Sequence, residues 1–124
     1  MNDARKKTRF LSELSCAFGP TPDTPRSGTI TSIGLKECFV KTKAIVIEGQ
    51  TLHVRVWTPE NCWLRLSGRV KYHMERVGFG VVFHDLSEAQ LADLSRIVEQ
   101  LRRQHLGQLR EEAADNPADV TAVN

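Results

Sequence analysis

The sequence predicts a small antiparallel β-barrel, running from about Phe10 to His84, followed by one C-terminal helix. Three observations carry this. Apolar side chains recur at every second position through Leu52-His53-Val54-Arg55-Val56-Trp57 and again through Trp63 to His73, as in strands with one buried and one wet face. Turn signals separate several such runs within a short chain, which favours closure because a barrel has no free strand edges. Finally, Ser87-Glu88-Ala89-Gln90 is a capping box that opens a helical stripe,.

The elements follow in order. Apolar and small residues from Phe10 to Phe18 predict a first strand, and the three prolines of Gly19-Pro20-Thr21-Pro22-Asp23-Thr24-Pro25 end it in a loop,. Thr29-Ile30-Thr31-Ser32-Ile33 is rich in β-branched residues, Gly34 marks a turn, and Cys38-Phe39-Val40 is a short strand,. Leu52, Val54 and Val56 face one way, while His53, Arg55 and Trp57 face the other. After the turn Thr58-Pro59-Glu60-Asn61, Cys62, Leu64, Leu66, Val70 and Tyr72 share the inner face, with Trp63, Arg65, Arg69, Lys71 and His73 opposite. Phe79, Val81 and Phe83 repeat the alternation. In the helix, Leu91, Leu94, Ile97, Val98 and Leu101 form one stripe,. The expected division is a flexible basic arm over 1–9, a barrel with its helix over 10–106, and an acidic tail over 107–124, disordered from about Ala113.

At 124 residues, with 40% hydrophobic and 26% charged residues, the chain predicts one soluble domain with a core of its own,. A net charge of +2 does not by itself argue for nucleic acid, but its distribution is uneven. Arg5, Lys6, Lys7 and Arg9 crowd one end, and Glu111, Glu112, Asp115 and Asp119 the other,. Cys16, Cys38 and Cys62 form no metal-binding spacing, so they are expected to be small buried thiols in a reducing compartment. With no apolar span and no secretory segment, the expected location is cytoplasmic.

The chemistry concentrates in the arm and in the second strand. Arg5-Lys6-Lys7-Thr8-Arg9 sets two arginines four apart. Guanidinium groups bind phosphates through paired hydrogen bonds and stack flat on bases, although a basic terminal arm is ordinarily just solvated. The arm stands ahead of Thr29-Ile30-Thr31-Ser32-Ile33-Gly34, of Gly68-Arg69-Val70, and of Gly78-Phe79-Gly80-Val81-Val82-Phe83 with the helix directly after it. From Arg5 to about Leu101 this order resembles the PilZ family, whose arm reads Arg-x-x-x-Arg. The family's second element is Asp or Asn, any residue, Ser, two residues and Gly.

The resemblance implies a six-stranded antiparallel barrel with a C-terminal helix, and it implies binding of cyclic di-GMP without any cofactor. Carried over residue by residue, the binding positions are Arg5, Arg9, Thr29, Thr31 and Gly34. Thr31 keeps the hydroxyl of the family's serine. Thr29 departs from the pattern, because a threonine hydroxyl is a weaker acceptor for a guanine edge than a carboxylate or an amide; that loss amounts to about 1–3 kcal/mol. The implied role is a bacterial signalling adaptor, not an enzyme, that passes the signal to a protein partner. Such an adaptor without the nucleotide stands as the alternative.

Other constellations point elsewhere. Trp57 and Trp63 with Arg55, Arg65, Arg69 and Lys71 form a face of the kind used by single-strand nucleic-acid binders. The plainer reading is an outer barrel face shielded by its tryptophans. His53, His73 and His84 fall on outward faces of separate strands, so neither a metal site nor a catalytic site is expected. Leu106 and Leu109 extend the helical stripe past the barrel, which leaves room for a homodimer through the helix.

Overall fold

In a computed structural model the chain is described over residues 9–115, with side chains as far as Leu106. The expected mobility of residues 1–8, and of the tail beyond Asp115, falls outside the described residues. Six strands, β1 (Phe10–Gly19), β2 (Arg26–Ile33), β3 (Glu37–Lys41), β4 (Thr51–Trp57), β5 (Trp63–Met74) and β6 (Gly78–Phe83), precede one helix, α1 (Glu88–Asp115). The strands close into an antiparallel barrel in the order β1-β2-β3-β6-β5-β4. The fold class expected from the alternation is the one observed.

The inward positions of all six strands form one core with α1. Phe18, Ile30, Ile33, Cys38, Val40, Val56, Phe79 and Val81 are fully buried, and Phe18 meets Phe79 edge to face at 5.0 Å between centroids,. From the helix, Leu94, Ile97, Val98 and Leu101 join that core, where α1 packs against β1 and β5. Leu91 does not; it is half exposed at the start of the stripe, before the helix has closed on the barrel. The capping box forms as expected. Ser87 Oγ accepts from the Gln90 backbone at 3.1 Å, and Gln90 Oε1 accepts from the Ser87 backbone at 2.7 Å,. Beyond the stripe the helix continues through Gly107 to Asp115, a stretch expected to belong to the tail. One glycine in a helix costs only about 1 kcal/mol relative to alanine.

Two expectations about β5 are corrected by a bulge. The β5–β6 register slips between Val70 and Tyr72, and a single extra residue reverses which way the following side chains point. Tyr72 therefore leaves the inner face. It lies over Gly80, where a Cβ would stand 2.5 Å from the tyrosine ring, and it stacks on Phe39 at 6.1 Å. His73 turns the other way, opposite Phe79, with Nε2 buried and without a hydrogen-bond partner among the described residues. Cys62 is also corrected: it sits exposed in the β4–β5 turn, whereas Cys16 and Cys38 are buried as expected.

Candidate ligand-binding site

β2 carries the second motif on its outer side, and its neighbours shape the surface around it. Ile30 and Ile33 point into the core, which leaves Thr29 and Thr31 half-buried on the outside. At Thr31 both ladders slip. The β1–β2 register shifts between Leu11 and Leu14, and the β2–β3 register between Ile30 and Ser32. Ser12 holds the β1 bulge by donating to the Ile30 carbonyl at 2.7 Å. Bulges re-aim side chains and interrupt regular pairing, and here they border an opening in the outer surface of the closed barrel.

The opening is a cleft of about 400 Å³. Thr29 and Thr31 line it with Ser12, Glu13 and Thr42, and Lys41, Lys43 and Arg76 bring positive charge to its rim. Thr29 stands opposite Lys41 in the ladder. Among the described residues none of these three cations has an ion-pair partner.

Arg9 and Gly34 lie at the other end of β2. Phe10 pairs with Ile33, so Arg9 enters beside the turn that begins at Gly34, itself buried and donating to the Glu37 carbonyl at 2.9 Å. The Arg9 guanidinium does not face the cleft. It reaches across the outer face toward β3 and β5, 3.8 Å from Glu37 Oε1, and donates to the Tyr72 hydroxyl at 3.5 Å. Lys71 approaches the other Glu37 oxygen at 3.6 Å. The structure thus brings Thr29 and Thr31 together in one cleft and sets Arg9 and Gly34 beside each other at the far end of the same strand. Arg5 lies outside the described residues.

No family model and no curated protein matches the sequence. Solved structures do match the architecture. MotI/DgrA, the Bacillus subtilis inhibitor of motility, superposes with a TM-score of 0.64 at 11% identity, over 80% of this chain and 49% of that one. The PilZ domain of CeSA from a cellulose-synthesising bacterium gives 0.62 at 15%, over 77% of this chain and 99% of the other. The fold is that of a PilZ domain. MrkH of K. pneumonia, at 0.64 and 13%, covers 83% of this chain and 51% of its own. This chain therefore spans about half the length of MotI/DgrA and of MrkH, and nearly the whole of the CeSA domain.

On this PilZ-like barrel, sequence reasoning missed Glu37 and Tyr72 as partners of Arg9, and Lys41, Lys43 and Arg76 as the charged rim. Glu37 and Lys41 bound the short strand β3, but no motif marks them, and only strand pairing reveals what they face. The Trp and Arg face is largely satisfied within the protein. Trp57 and Trp63 pack edge to face at 5.1 Å, and Arg55 lies over Trp63 at 4.6 Å while donating to Thr24 at 2.8 Å. Arg65 donates to the Pro22 carbonyl at 3.2 Å, so the proline loop folds back onto this face. Burial pushes the Cys16 thiol up to about 12, against a smaller opposing hydrogen bond from Gly28, and pushes Cys38 higher still. Both are inert core thiols. Among the described residues no group of three His, Cys, Asp or Glu side chains could hold a metal ion, and no helix is long and apolar enough to cross a membrane.

Proposed function

We propose that this chain is a cyclic di-GMP receptor that binds the dinucleotide through Arg5, Arg9, Thr29, Thr31 and Gly34 and signals through a protein partner. The observation that supports the reading is that Arg9 and the second motif lie along the outer side of one strand. Arg9 enters beside Gly34, and Thr31 and Thr29 follow along β2 toward the cleft. At about 3.3 Å per strand residue this span suits a dinucleotide. The chain is then a non-enzymatic, cytoplasmic adaptor. Ligand binding draws Arg9 away from Glu37 and reorganises the surface that a partner reads.

Calorimetric titration with cyclic di-GMP tests this directly. Saturable binding that Arg9→Ala and Arg5→Ala each weaken supports the reading; no binding by the natural sequence overturns it. A second reading, the adaptor without nucleotide, is favoured by one observation: Thr29 lacks the carboxylate or amide of the family motif. A nucleic-acid role for the Trp face finds less support, because Arg55 and Arg65 are engaged by the proline loop.

A further inference from the structure

We infer that the cleft between β2, the end of β3 and the β5–β6 turn is a phosphate-binding subsite, in which Lys41, Lys43 and Arg76 hold an anion against the hydroxyls of Thr29 and Thr31. The three cations come from two segments: Lys41 ends β3 with Lys43 two residues on, and Arg76 sits in the turn between β5 and β6. The arrival of Arg76 beside the lysine pair is therefore a product of the fold and not of a basic run in the chain.

Several features favour an anion here. Glu13 is the only carboxylate among the residues lining the cleft, so the wall carries a surplus of positive charge. Among the described residues none of the three cations has a carboxylate partner; Arg26, Lys36 and Arg69 have none either, and what sets these three apart is their placement around one cleft. Hydroxyls on the opposite wall donate to phosphate oxygens as readily as they accept. The charges are solvated, so attraction comes from the concave placement of several weak contacts and is sensitive to salt.

The subsite also gives physical sense to Thr29. A carboxylate at that position would stand opposite Lys41 and neutralise part of the rim. A hydroxyl leaves the cationic field intact. In this chain a guanine-edge acceptor has given way to a surface that holds a second phosphate of the ligand. The identity of that ligand as cyclic di-GMP rests on the reading above; the anion site itself does not.

Two probes separate the two claims. Inorganic pyrophosphate is titrated into the full chain and followed by amide NMR, and cyclic di-GMP by calorimetry, each with the natural protein and with the double variant Lys41→Gln/Arg76→Asn. Asparagine suits position 76 because the backbone there has φ of 64°,. Both side chains are exposed, so the fold should be unaffected. The expected result is saturable pyrophosphate shifts at Thr29, Lys41 and Val77, weakened about tenfold in the double variant and unchanged by Arg9→Ala. Pyrophosphate that leaves these amides unmoved, or binds both proteins equally, overturns the subsite. Sensitive pyrophosphate binding without any cyclic di-GMP binding keeps the subsite and removes the dinucleotide reading. Cyclic di-GMP binding that ignores the double variant keeps the dinucleotide reading and overturns the claim that the subsite holds a second phosphate of that ligand.

Discussion

Thr29 stands directly opposite Lys41 across the β2–β3 ladder, on the outer wall of the barrel. A directly opposed pair of unlike charges in a sheet contributes about 0.2–1 kcal/mol. Thr29→Asp should therefore raise stability slightly, and the gain should vanish when Lys41→Gln is added. The same change supplies an acceptor for a guanine edge, a contact of about 1–3 kcal/mol. With a ligand phosphate held against position 29, however, the new carboxylate repels it and neutralises Lys41. Cyclic di-GMP and pyrophosphate should both bind Thr29→Asp more weakly, and a tighter cyclic di-GMP complex would seat a guanine edge there and contradict the phosphate contact. Denaturant midpoints and two titrations check all three directions.

Arg9 and Glu37 set up a competition. Arg9→Ala should weaken cyclic di-GMP binding by more than about tenfold, since a charge-assisted hydrogen bond contributes roughly 1.5–3 kcal/mol. Lys6→Ala and Lys7→Ala should cost less, each removing a screened point charge. Glu37→Gln should act in the opposite direction. It removes the carboxylate that now sits 3.8 Å from Arg9, so a ligand phosphate no longer has to displace it. Affinity that falls in Glu37→Gln would contradict the competition.

Gly80→Ala should destabilise the barrel by about 0.5–1.5 kcal/mol, the cost of pushing one half-buried outer side chain off its rotamer,. The new methyl group meets the Tyr72 ring, which has no room to stay over β6. Moving that ring also removes the hydroxyl that receives Arg9. Thermal unfolding and tyrosine fluorescence report the two effects, and Gly80→Ser should behave alike. A variant of natural stability with unchanged fluorescence would refute the close contact.

Cysteine reactivity should be confined to one position. Cys62 is exposed, while Cys16 and Cys38 are buried with raised thiol values. One thiol should react with an aromatic disulfide reagent in native protein, and three after unfolding. The raised values also fix a direction with pH. A thiol that stays protonated when folded but ionises near 9.0 when unfolded favours the folded state fully below 9.0,. That contribution is lost progressively above it, up to about 12 for Cys16. Denaturant unfolding between neutral pH and alkaline pH should show stability declining above 9.0, and less so in Cys16→Ala.

Leu94→Ala should cost about 2–5 kcal/mol, as for other fully buried leucines, because Leu94 carries the helix into the barrel core. Leu91→Ala, on the same stripe but half exposed, should cost far less. Equal losses at the two positions would place the helix differently.

By itself, the sequence determined the six strands, the capped helix, the inward residues other than Cys62 and Tyr72, and the resemblance that names Arg5, Arg9, Thr29, Thr31 and Gly34. These are local matters. Alternation with period two, proline and glycine punctuation, and a capping box act over a few residues, so they are readable before any contact is known. The tertiary structure alone decided what those residues face. Three slips of register, at Leu11–Leu14, Ile30–Ser32 and Val70–Tyr72, turned Tyr72 outward and His73 inward and shaped the outer surface beside Thr31. Arg9 met Glu37 and Tyr72, and Arg76 met Lys41 and Lys43, only because the closed barrel brings distant strands edge to edge. The reason is physical: a bulge is one extra residue, set by the balance of pairing and packing across strands, and nothing in a single strand's pattern records it.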